Sequence, residues 1–386
     1  MNLMPNRSQA RVFPSSLAII SVVVAFGLTG CGSLFGSKKP EPPALGANPA
    51  SVPVAQAWTA RIGAIRGPLQ PVVNGNSVTV AGSDGSVAVL DAATGAERWR
   101  ASVGAPLAAG VGSDGKLAAV VTQANDVVVL ESGRELWRQK LQAQVFTAPL
   151  VAGGRVFVLA ADRSVNAFDG QTGRKLWQQQ RPGEPLVLRQ AGVVLPVGDT
   201  LVVGLSGRLA GLNPNSGAVR WEAPLATPRG INDVERLVDL VGSVARLDDV
   251  VCARAFQTSV GCVNTERGSV LWTKPANGFE GISGDAGYLF GAEANGHVLA
   301  WRRSNGERAW TNERLQHRSL TAPLAMGRAV AVGDSTGLVH LLSRDDGTPV
   351  NRLTTDGSGI AATPVLAAGM LVVVTRNGGV FGFRPE

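Results

Sequence analysis

Three histidines and three cysteines are all that this 386-residue chain offers in imidazole and thiol chemistry, and their spacing argues against most of it. His297, His317 and His340 fall in different segments. No His-Glu-x-x-His run sets two imidazoles on one helix face, and no Cys/His spacing suits zinc. No Gly-x-Ser-x-Gly turn presents a serine nucleophile. His297 follows the turn glycine Gly296 and His340 stands just beyond Gly337, so both read as surface or groove residues. The acid pairs Asp248-Asp249 and Asp345-Asp346 sit where turns demand them rather than where a metal would. An active site needs converging polar groups whose pKa values are pushed apart, and no such set is visible. No catalytic residue, no metal and no cofactor is expected.

Cys252 and Cys262 lie on two β-prone runs, 250–255 and 259–263, about a turn centred near Gln257. Equal distances from that centre place them opposite each other on adjacent strands. In an oxidising compartment they would form a cross-strand disulfide; the other reading is two small buried thiols.

The elements that must carry these residues are marked by tryptophan. Trp99, Trp137, Trp177, Trp221, Trp272 and Trp310 recur about every forty residues, each four residues after a glycine. The segments 90–99, 168–177, 212–221, 263–272 and 301–310 share one pattern: a strand end, a tight turn with Asp or Asn, a glycine, then the tryptophan. Upstream of each lies an alternating run such as Val87-Ala88-Val89-Leu90, and before it a more continuous apolar run such as Val156-Phe157-Val158-Leu159. A fourth short stretch carries Ala148-Pro149-Leu150, Ala322-Pro323-Leu324 or Thr363-Pro364-Val365. Four short β-prone runs between Gly, Asn and Asp turns make an antiparallel meander. One meander cannot cover both its faces, so repeats of this kind stack around an axis as the blades of a propeller. The tryptophan then wedges between neighbouring blades.

Trp58 stands alone near the start of this array, while residues 363–366, 370–375 and 379–383 supply three strands at its end. The Trp58 strand completes that last blade and closes the ring, leaving no open sheet edge. The expected fold is therefore all-β: an eight-bladed propeller of four-stranded antiparallel blades, with seven blades if one copy is misread. Repeat 2 is shortened before Gly133, and repeat 7 keeps Gly347 but has Asn351 in place of tryptophan.

Residues 1–30 read as an export signal, with Arg7 and Arg11 before an apolar core at 17–26 that is short for a membrane span. Leu28-Thr29-Gly30-Cys31 resembles the lipobox of bacterial lipoproteins, which implies acylation of Cys31; Gly32 after it implies sorting to the outer membrane. Residues 31–56 form a Pro- and Gly-rich tether and 57–386 the propeller. The net charge of +7 comes from scattered arginines, a solvated basic surface or one that attracts acidic partners and anionic head groups. It has no basic stripe interleaved with aromatics, which argues against nucleic acid.

The Asp-x-x-Thr-Gly-x-x-x-Trp closure resembles the quinoprotein-type repeat rather than the WD type. With the lipobox and the eightfold count, residues 31–386 resemble the BamB family, the propeller lipoproteins of the outer-membrane β-barrel assembly machinery. Its most specific signs are Pro185-Leu186-Val187-Leu188-Arg189, Arg236-Leu237-Val238-Asp239 and Val332-Gly333-Asp334-Ser335-Thr336-Gly337. The resemblance implies a non-enzymatic scaffold, lipid-anchored in the outer membrane with its propeller in the periplasm. It implies docking on the POTRA region of the central insertion subunit BamA, and help to nascent barrel chains in delivery or folding. Partner binding carries over to Leu186, Leu188 and Arg189 in one loop and to Asp239 in a second, where Val241 replaces a further acidic residue of the family.

The residues point to the same region independently. The longest gaps between closures run from Trp177 to Trp221 and from Trp221 to Trp272, and insertions in propellers map to loops on one face. Leu186, Val187 and Leu188 beside Arg181 and Arg189 form an apolar patch rimmed by cations, the composition of an interaction hot spot. The alternative is that Leu186 and Leu188 begin a buried strand. Two rival functions use the same fold. A quinone-cofactor dehydrogenase calls for a calcium-holding set of Glu, Asn and Asp, a catalytic Asp and commonly a vicinal cysteine pair. A ligand-binding or sensor propeller of the periplasm calls for different partners.

Overall fold

The computed structural model describes residues 40–181, 186–229, 231–233 and 235–385. The export signal, the lipobox with Cys31, the first part of the tether and Pro185 lie outside the described residues. Among the described residues, thirty-two strands and no helix form eight four-stranded antiparallel sheets. Blades 1 to 7 each take four consecutive strands, beginning with Val72–Asn74, Ser77–Ala81, Ser86–Asp91 and Glu97–Ser102 in blade 1. Blade 8 takes Val365–Ala367, Met370–Val374 and Gly379–Pro385 from the end of the array and Val54–Arg61 from its start. Trp58 pairs with Gly382 and Arg61 with Gly379 across that closure. The eightfold count and the borrowed closing strand are as the repeat pattern required.

Strand composition follows position in the blade. The two middle strands lie between neighbouring blades and are buried on both faces, as in Leu117–Thr122, where every residue is buried. The outermost strands, such as Glu97–Ser102 and Arg134–Lys140, keep mostly charged, exposed positions. Each fully buried valine or leucine of the middle strands contributes about 1.5–3 kcal/mol relative to exposure. The core is therefore distributed between blades rather than gathered at a centre.

The recurring tryptophan and glycine explain each other across blades. Trp137 packs its indole over Gly173 of the next blade and donates Nε1–H to the carbonyl of Gly170 at 2.8 Å. Trp58, Trp177, Trp272 and Trp310 do the same to Ala92, Pro214, Arg303 and Arg344 at 2.9–3.0 Å. Each receiving glycine has positive φ, 73° at Gly217, and a Cβ there would stand 2.6 Å from the Trp177 ring. The turn thus needs glycine twice, for its left-handed backbone and for the indole above it. Asp91 and Asp169 close their turns as expected, accepting from the amides of Thr94 and Thr172 at 3.1 and 2.8 Å.

Within the stretch expected as tether, Ser51 donates its amide to Val350 at 2.8 Å. Asn48 donates to the Asn351 side chain and the Arg352 carbonyl, both at 3.0 Å. Leu45 packs on the core between blades 6 and 7. In blade 5 the register sets Cys252 opposite Cys262, and the two sulfurs are bonded.

Candidate partner-docking surface

Four antiparallel strands return the chain to the edge from which it entered. Every blade-to-blade connector therefore lies on one face, together with the turn between each blade's middle strands. Three such loops meet at one residue, Arg163, in the middle turn of blade 3. The turn is built by Asp162, whose Oδ1 accepts from the amide and hydroxyl of Ser164 at 3.0 and 2.6 Å. This holds Arg163 at φ 63° and sends its side chain under the connectors, where it is 7% exposed. Its Nη1 donates to Asp239 Oδ1 at 2.9 Å and its Nη2 to the Leu186 carbonyl at 2.9 Å. The second oxygen of Asp239 accepts the Leu188 amide at 2.9 Å.

One buried ion pair thus fastens the connector between blades 3 and 4 to that between blades 4 and 5. Removing Arg163 leaves the Asp239 carboxylate without its cation in a largely buried site, which costs about 3–5 kcal/mol in comparable pairs. The knot decides what the surface presents. Leu186 is exposed at 41%, Val187 and Leu188 are half-buried, and Arg189 is exposed with its guanidinium 5.5 Å from the Phe146 ring centre. Gly192 donates its amide to Thr147 Oγ1 at 2.9 Å, and Gln190 bonds the carbonyl of Phe279 in the connector between blades 5 and 6. The notch beneath Leu188 holds only about 50 Å³, far below the several hundred of a cofactor site.

The structure brings Leu186, Leu188, Arg189 and Asp239 together, in two different roles. Leu186 and Arg189 face outward; the Asp239 carboxylate is engaged inward and positions the loop that carries them. Leu186 does not begin a strand, because the first strand of blade 4 starts at Val194. Val241 is 1% exposed, so the position of the family's further acid is part of the core here. Arg181 pairs with Glu222 on blade 4. Arg163 and Phe146 complete the surface; in the sequence, Asp162-Arg163 between two apolar runs signals a turn and nothing of where the arginine reaches.

The histidines stand elsewhere. His340, expected at the surface or in a groove, is 4% exposed and bonds Asp334 Oδ2 at 2.9 Å, and Arg318 reaches the same oxygen at 3.2 Å. Burial alone would raise the Asp334 carboxyl, but hydrogen bonds from His340 and Thr336 outweigh it and hold it at about 2. Among the described residues, no three of His, Cys, Asp and Glu converge in a metal-binding arrangement.

Ring, closure and repeat define a velcro-closed eight-bladed propeller of the quinoprotein-like repeat class. Residues 83–312 match the family model described as outer membrane protein assembly factor BamB. The protein of that name from Burkholderia pseudomallei is 42% identical over 86% of this chain and 88% of its own length. The one from Bordetella pertussis is 34% identical over 99% and 100%. The crystal structure of BamB from Moraxella catarrhalis has the same fold, with a TM-score of 0.77 at 21% identity over 86% of this chain and 99% of its own. The chain belongs to the BamB family.

Proposed function

We propose that the chain works as a non-enzymatic scaffold lipoprotein of the outer-membrane β-barrel assembly complex, held to the outer membrane by acyl chains on Cys31. Its connector face docks on the POTRA region of the central insertion subunit BamA, and through it the protein assists insertion of nascent barrels. The relatives' shared name, outer membrane protein assembly factor, supports the setting. The observation that carries the docking reading is the Arg163–Asp239 knot, which ties two connectors together beneath an exposed leucine and an exposed arginine. Apolar anchors beside arginine, fixed before contact, reduce the ordering cost of association.

Three of the acids on this face are already held by cations, which weighs against their use in a quinone-and-calcium site. Asp239 is engaged by Arg163, Glu293 by Arg254 and Asp334 by Arg318 and His340. A calcium site needs carboxylates that are free to coordinate. The test is to change Leu186, Leu188 and Arg189 together to alanine and measure capture of the BamA periplasmic region. Capture falls at least tenfold under this reading; undiminished capture by a folded variant would defeat it.

A further inference from the structure

A second feature of the connector face lies beside the docking loops. A groove of about 420 Å³ runs from the connector between blades 8 and 1 to that between blades 3 and 4. Arg66 and Arg189 stand at its ends, with Gln123, Asn125, Gln144 and Phe146 between them. Among the described residues, no Asp or Glu lines it, and neither arginine forms an ion pair.

Hydrogen bonds tie down the segments that line the groove. The Arg66 amide donates to Ser83 Oγ at 2.8 Å and the Ile65 amide to the Arg376 carbonyl at 2.9 Å. The Gln70 amide donates to Gly110 at 2.7 Å, fixing the connector on its other side. Across the groove, Gln144 accepts the Ala161 amide through its carbonyl at 2.8 Å. Arg189 lies over Phe146, and a guanidinium lodged against a ring keeps its in-plane N–H donors for a carboxylate. Two arginines without an ion pair among the described residues, three side-chain amides and one aromatic wall suit negative charge on an extended chain.

We propose that this groove takes an acidic, carboxylate-bearing stretch of the docking partner, with Arg66 as a contact residue far in sequence from the 186–189 loop. The proposal rests on the docking reading above and extends it across blades 1 and 2. Continuity supports it, since Arg189 and Phe146 belong to both the groove and the docking patch.

The experiment measures association of the full propeller with the partner's periplasmic region at low and high salt. Arg66→Glu is compared with Arg302→Glu, an equal charge change at an exposed strand end on the opposite face. Arg66→Glu slows association roughly tenfold at low salt and flattens the salt dependence, while Arg302→Glu changes the rate less than about twofold. Arg66→Gln gives an intermediate loss. The side chain of Arg66 bonds no described residue, so its variants retain the fold. If Arg66→Glu behaves like Arg302→Glu while a Leu186→Ala/Leu188→Ala variant loses binding, the groove proposal is overturned and the docking reading stands. If the leucine variant also binds normally, both fall.

Discussion

Asn351 donates its side-chain amide to the carbonyl of Val52 at 2.7 Å, at the place where Trp310 and its counterparts lie over the next blade's turn. The substitution has a structural cause. In blades 1 to 7 a continuous turn with a left-handed glycine receives the preceding tryptophan. Blade 8 has no such turn, because its third and fourth strands come from opposite ends of the array. With no glycine turn to cover, the position carries a small amide that ties down residues 48–52 instead.

Replacing Asn351 with alanine removes both bonds while leaving blade 7 intact. The expected cost is about 1–2 kcal/mol. It shows as faster proteolytic cleavage between residues 43 and 52, with the rest of the chain protected as before.

The tryptophan–glycine contact predicts a graded pair of substitutions. Gly217 and Gly369 both have φ near 73°, but Gly217 faces Trp177 whereas nothing lies within 4 Å of a Cβ at Gly369. Gly369→Ala suffers left-handed strain alone, about 1 kcal/mol, and Gly217→Ala adds displacement of the indole for a total of about 3 kcal/mol. Denaturant midpoints of the two variants separate these terms; equal losses would show that the indole contact contributes nothing.

These cases mark what the sequence discloses. Blade count, strand order and ring closure are legible because glycine and tryptophan recur at fixed spacing within each repeat. That each glycine receives the tryptophan of the preceding blade is a relation between repeats, and spacing inside one repeat does not show it. Arg163 was hidden for a related reason: a turn residue's side chain has meaning only once the connectors passing over it are known. His340 was within reach. It sits on a middle strand, Leu338–Ser343, and such strands are buried on both faces.

On the proposed docking mode, Arg163 and Asp239 act on the partner only through the loops they fasten. Arg163→Met lowers stability by about 3 kcal/mol, since Asp239 then lacks its cation. Asp239→Asn keeps the shape and one acceptor, so its loss is smaller. Both variants weaken partner capture through slower closure of a loosened loop, and hydrogen exchange at 186–192 rises in step with that loss. Weakened capture with unchanged exchange would mean instead that these side chains contact the partner directly.

Glu280 predicts the pH dependence. It lies in a pocket walled by Phe279, Leu320, Ile360 and Arg376. Burial there lifts its carboxyl to about 7, against the pull of Arg254 and Arg376. Because the folded state holds this proton more tightly than the unfolded chain, the contribution is fully present below pH 4.5 and is lost as pH rises to about 7. The loss is on the order of 1–3 kcal/mol. Glu280→Gln abolishes this part of the slope in chemical denaturation at pH 5 and pH 8; an unchanged slope would place the titration elsewhere.

The docking face is tested most directly by a photo-crosslinking amino acid placed at Leu186 in living cells, with Leu271 on the outer strand of blade 5 as the comparison. Both side chains are exposed, at 41% and 51%. A strong adduct is expected between position 186 and the barrel-insertion subunit, and little or none from position 271. Equal adducts from both sites, or a partner captured only from 271, would contradict it.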